Sequence, residues 1–152
     1  MSTHEAYIRE AVALAAENVA SGGTAYGAVI VRDGTVLVRA ANAVHLTNDP
    51  SAHAEMVALR EASRLLARSD LSDCVMYASG RPCPMCHAAM RLAGFREGYF
   101  AFSAEEAEEH GAANAALYAE LCRPLDEQPM RLRQIRPAGE APYAAWRARR
   151  GA

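Results

Sequence analysis

GAVIVRDGTVLVRAA (residues 27–41) reads as two β-branched strands, Gly27–Arg32 and Thr35–Ala41, joined by Asp33-Gly34. Valine and isoleucine fit the pleated, half-buried surface of a sheet. Asp-Gly accepts the positive φ that a two-residue hairpin turn demands, so the pair is a strong short-range hairpin signal. Before the hairpin, Thr3–Ala20 has an amphipathic helical pattern that ends at Ser21-Gly22-Gly23. After it, Asn42–Pro50 is polar and is expected to be a loop. Ala52–Ala67 is helical, and Ser51 is placed to cap it, because its hydroxyl can accept from the unpaired amides of the first turn. Cys74–Ser79 reads as a strand, Pro84–Ala93 as a helix with proline near its start, and Gly98–Phe102 as a third buried strand-like run. Ala104–Leu121 is expected to be one helix, with the glutamates at 105–109 near its positive end. Met130–Arg136 fits a last strand and Pro142–Arg149 a short final helix. A hairpin followed by strand–helix alternation implies an α/β fold, with a mixed sheet and helices on its faces.

The chain has 152 residues, 51% of them hydrophobic, and a net charge of −2. Residues 1–152 therefore fit a single domain with a sizeable core. No apolar run approaches a membrane span, and Met1–Glu10 is charged where a secretion signal would be apolar, so the cytoplasm is the expected compartment. Four cysteines there point to metal binding or buried thiols before disulfides. The weak net charge argues against a dedicated nucleic-acid binder. Every one of the 16 basic residues is arginine, and seven lie from Arg123 onward, which reads as a solvated basic face.

Two short segments carry chemistry. Ala52-His53-Ala54-Glu55 and Pro82-Cys83-Pro84-Met85-Cys86 together offer one imidazole, two thiols and one carboxylate. The element lengths let them meet. The helix from Ala52 runs about 24 Å away from His53 at 1.5 Å per residue, and the strand ending near Ser79 returns roughly 20 Å at 3.3 Å per residue. Cys83 then comes back to the level of His53, and two helix N-termini face each other. Cysteines at a helix start favour the thiolate. His53, Cys83 and Cys86 can thus hold Zn2+ through three ligands, leaving the fourth position to a water whose pKa falls toward neutrality. Two thiolates moderate that effect, so a base is useful, and Glu55 is placed to be it. Two residues apart on a helix, His53 and Glu55 would diverge, but on the opening turn both can lean past the helix end. A purely structural zinc would normally close with a fourth protein ligand. Cys74 and Cys122 read as core or half-buried thiols, His87 as a helix-surface residue and His45 as a loop residue.

H-x-E followed by P-C-x-x-C is the pattern of zinc deaminases that act on nucleobases. With Tyr26-Gly27-Ala28-Val29-Ile30-Val31, Asn48-Asp49-Pro50-Ser51 and the late Ala145-Trp146-Arg147 beside it, the chain resembles the cytidine and deoxycytidylate deaminase superfamily over nearly its whole length. Within it, Tyr118 included, the chain looks like the bacterial guanine deaminases. The resemblance implies a three-layer α-β-α sandwich with a five-stranded mixed sheet. It also implies one zinc per subunit, a homodimer, and a tail, 137–152, that packs on or exchanges with a partner subunit. It places Asn42 as the reader of the substrate edge, since an amide both donates and accepts; by position alone Asn42 could equally be a turn residue. Backbone groups of Ala54 and Cys83 would contact substrate, Tyr26 would flank the base, and Asn114 would stand where those enzymes carry a carboxylate. Arg81 replaces their glutamate, Leu92 replaces an aromatic, and the chain stops at Ala152, short of their terminal aromatic. The implied activity is hydrolytic deamination of a small aminated nucleobase, guanine or a related aminopurine. The alternatives are cytosine, cytidine, guanosine, a triazine ring, or adenosine in tRNA.

Overall fold

The computed structural model describes residues 3–112, 115–139 and 141–150. Met1–Ala119 packs as one compact unit and Glu120–Ala152 as another.

In the first unit, α1 (Thr3–Ala20), β1 (Gly27–Arg32) and β2 (Thr35–Ala41) have the expected limits. Asp33 and Gly34 both adopt positive φ, 50° and 72°, as the tight turn requires. A short helix, α2 (Val44–Thr47), interrupts the segment expected to be loop. Then follow α3 (Ala54–Leu66), β3 (Cys74–Gly80), α4 (Pro84–Leu92), β4 (Gly98–Phe102), α5 (Ala104–Glu109) and α6 (Ala115–Leu121). The sheet order is β2-β1-β3-β4, antiparallel except for the parallel β3/β4 pair.

β1 is buried at five of its six positions because helices cover both faces of the sheet. Its alternate residues divide the core. Ala28 and Ile30 pack with Ala54, Ala58 and Ala62 of α3 and Met90 of α4. Val29 and Val31 pack with Ala11, Tyr7 and Ile8 of α1 on the opposite face. The three-layer α-β-α arrangement is the result. Gly27 is where α1 comes closest to the sheet: a Cβ there would collide with the Ala11 carbonyl and lie 2.8 Å from the Ala15 nitrogen. Backbone cannot yield as a flexible side chain can. Gly27→Ala should therefore cost about 1–3 kcal/mol, read as a lower urea midpoint; an unchanged midpoint would contradict this close approach.

The structure corrects several expectations. The sheet has four strands among the described residues, and Met130–Arg136 forms none of them. Its apolar–arginine alternation supplies strand propensity, but a strand exists only through a partner ladder. β4 is an edge strand, not a buried one, with Phe100 and Phe102 about half exposed. The helix expected over Ala104–Leu121 is two helices. α5 opens on a reciprocal capping box between Ser103 and Glu106, and Gly111 at φ 81° then turns the chain out of helical conformation. In the second unit, a short 3-10 turn (Leu125–Glu127) and α7 (Tyr143–Arg150) are the regular elements.

Candidate metal centre

The helix that follows His53 begins at Ala54, two residues later than its pattern suggests, whereas α4 begins at Pro84 as expected. Asp49 takes the Ser51 amide at 2.8 Å and its hydroxyl at 2.7 Å, so Ser51 is held in a local turn and does not cap α3. His53 is the N-cap instead, in extended conformation, and Cys83 is the extended N-cap of α4, with Pro84 at its first position. Neither side chain makes a capping hydrogen bond. The two side chains point at each other.

Cys83 Sγ lies 3.5 Å from His53 Nδ1, Cys86 Sγ lies 3.6 Å from the same nitrogen, and the two sulfurs are 3.6 Å apart. A tetrahedral zinc with bonds of roughly 2.0–2.3 Å separates such ligand atoms by about 3.5–3.8 Å, so this near-equilateral triangle fits the ion. Among the described residues, His53, Cys83 and Cys86 are the group of potential ligands arranged to hold a metal. The Cys86 thiol pulls Cys83 down to about 4 by hydrogen bonding, with burial opposing and the His53 ring assisting. That same hydrogen bond pushes Cys86 up, so the bare pair shares one proton and one negative charge.

Glu55 is 5% exposed, and its Oε2 lies 3.5 Å from Cys86 Sγ. Burial pushes its carboxyl above the usual range, and the negative charge of Cys83 adds to that. The expected divergence from His53 is avoided because His53 is the extended cap and Glu55 lies on the opening turn.

The surrounding positions divide. The half-buried Tyr26 has its phenol pushed up by burial first, then by the charges of Glu55 and Cys83, which places it beside the centre. Asn42 is 5% exposed. Its Oδ1 accepts from the Val44 amide at 3.1 Å, while its side-chain nitrogen donates to none of the described residues. Ala54 is buried at the first position of α3. Asn114 lies outside the described residues. Leu92 is 90% exposed. Cys74 is a core thiol raised to about 11, chiefly by burial, and Cys122, His45 and His87 are exposed.

Two supporting residues escape a reading of the sequence. Asn18 donates to the Thr24 carbonyl at 2.7 Å and the Asn42 carbonyl at 3.0 Å, tying the end of α1 to the loop after β2. Ser79 accepts the Gly27 amide at 3.0 Å, holding the β1 and β3 ends together next to the cysteine loop. Each is a polar residue in an otherwise apolar pattern, which is the signal that could have marked them.

Residues 1–102 match the model of the cytidine and deoxycytidylate deaminase zinc-binding region. The chain is 38% identical to the guanine deaminase of Bacillus subtilis over 146 residues, 95% of this chain and 94% of that protein. A solved structure of that enzyme covers 100% of this chain and 96% of its own, with a TM-score of 0.87. A tRNA-specific adenosine deaminase of Aquifex aeolicus is also 38% identical, over 58% of each chain. A structure of the guanine deaminase of Nitrosomonas europaea is 27% identical, with a TM-score of 0.69 over 73% of this chain and 65% of that one. The zinc-compatible triangle and a family match over two thirds of the sequence agree: this chain belongs to the cytidine and deoxycytidylate deaminase family, and it is a zinc-dependent hydrolytic deaminase.

Proposed function

We propose that this chain removes the exocyclic amine of guanine, or of a closely related aminopurine, as ammonia. The observation that carries the proposal is the extent of the likeness. It runs from end to end with a guanine deaminase, whereas it covers little more than half of the tRNA deaminase. The net charge of −2 also speaks against a polyanionic partner.

His53, Cys83 and Cys86 would hold the metal, and zinc bound there would supply water activated for attack near neutral pH. Glu55 would be the proton carrier of the reaction, holding the proton of the attacking water, passing it to a ring nitrogen and later to the departing amine. Its raised carboxyl suits both halves of the task, since a group that holds a proton too weakly cannot return it. Asn42, with its side-chain nitrogen unused, reads the edge of the ring. The first-turn amide of Ala54 offers a further donor, and Tyr26 flanks the base.

Ammonia release measured on guanine, 2,6-diaminopurine, cytosine, cytidine, guanosine, a triazine and tRNA tests this. Guanine or the diaminopurine should be turned over fastest. A response confined to tRNA, or to a pyrimidine, overturns the assignment.

The functional unit is a homodimer in which residues 137–152 pack on, or exchange with, the second copy. The open β4 edge with exposed Phe100 and Phe102 supports this, since proteins rarely leave such an edge bare. Sedimentation should give twice the chain mass; a monomer at micromolar concentration refutes it. The cytoplasm suits thiolate ligands that must remain reduced, and no helix among the described residues is long and apolar enough to cross a membrane.

A further inference from the structure

The cysteine loop is braced from outside. Tyr118 of α6 donates its hydroxyl to the Pro82 carbonyl at 2.5 Å. The Arg81 guanidinium lies over the Tyr118 ring, 4.6 Å from its centre, and the Arg81 amide donates to the Phe102 carbonyl of β4 at 2.8 Å. Pro82 C=O and Cys83 N–H belong to one peptide unit, which is planar and trans. In such a unit the carbonyl and the N–H point in opposite directions, so fixing one aims the other. The Cys83 N–H donates to none of the described residues, and the same residue carries one of the sulfurs of the triangle.

We propose that Tyr118 is a positioning residue for the metal centre. Its hydroxyl sets the plane of the Pro82–Cys83 peptide, and through it the direction of the free Cys83 N–H and the placement of the Cys83 sulfur. Arg81 holds the Tyr118 ring in place. This gives the arginine before Pro-Cys a physical reason. An aromatic face is electron-rich, so a guanidinium is attracted to it where a carboxylate would be repelled. The kinetic half of the proposal rests on the deaminase assignment above, and the metal half does not.

The test compares the parent holoenzyme with Tyr118→Phe and Arg81→Glu, alone and combined. Tyr118→Phe keeps the ring and loses one hydrogen bond. It should bind zinc stoichiometrically and lower kcat on guanine about three- to tenfold, with KM within about twofold. In the cobalt-substituted proteins, the thiolate-to-metal absorption bands should shift relative to the parent. Arg81→Glu should move the same readouts in the same direction in the parent and have no further effect once Tyr118 is phenylalanine, because the link to Pro82 is then already cut. Parent-like kcat and cobalt spectrum in Tyr118→Phe overturn the proposal, as does a loss confined to KM. If the parent turns over none of the rings, the deaminase assignment has failed and the cobalt bands alone decide. If Tyr118→Phe does not fold, Arg81→Glu alone decides on the same readouts.

Discussion

Glu55→Ala should leave zinc in place and lower turnover by about a thousandfold, the middle of the range for loss of a general acid–base group. The carboxyl is not one of the three atoms at ligand distance, so metal stoichiometry should be unaffected. It lies within 3.5 Å of Cys86 Sγ and is almost wholly enclosed, so solvent cannot easily substitute for it. Glu55→Gln keeps the volume and removes the proton carrier, and it should lose nearly as much. Burying a carboxyl costs stability, and the alanine variant should therefore unfold no earlier than the parent. Turnover within a factor of a few of the parent would defeat the role given to Glu55, whatever the metal content.

Cys83→Ala should release the metal and lower the thermal midpoint by about 10 °C. A ligand present at a thousand times its dissociation constant stabilises the folded state by roughly 4 kcal/mol, and at this size each kcal/mol is worth about 2–4 °C. His53 and Cys86 alone cannot complete the triangle. Treating the parent with a strong chelator should produce the same drop, whereas Cys83→Ala should not respond to the chelator at all. Stoichiometric zinc in dialysed Cys83→Ala would show that the ion sits elsewhere. Cys74→Ala is the contrast: Cys74 packs in the core away from the triangle and should keep its metal.

Much of this arrangement is legible from local chemistry. Asp33-Gly34 sets the hairpin, and the strands on either side have the limits their β-branched runs suggest. His53, Cys83 and Cys86 meet because the lengths of one helix and one strand return the chain to the same level, a consequence of rise per residue that needs no knowledge of packing. The misses arise where two local preferences compete. Ser51 has the chemistry of a cap, but Asp49 lies two residues earlier and captures it first. Gly111 breaks what composition alone presents as one continuous helix. Gly98–Phe102 has the apolar character of an interior strand, yet sheet order places it at the edge. Sheet order depends on pairing at long range, which no window of sequence contains.

The residues proposed for the metal and those proposed for the substrate stand on different kinds of structure. The imidazole and the sulfurs stand at the starts of α3 and α4, whose buried faces join the shared interior. Asn42 and Tyr26 instead occupy connecting stretches outside the helices and strands, where the Asn42 amide donates to the Tyr26 carbonyl and Asn18 and the Val44 amide donate to Asn42. A reactive centre anchored in the scaffold, next to adjustable connections, can acquire new ring preferences without risk to its ion. Laboratory evolution toward another heterocycle should accordingly collect changes around residues 24–26 and 42–47 and spare the two helix starts.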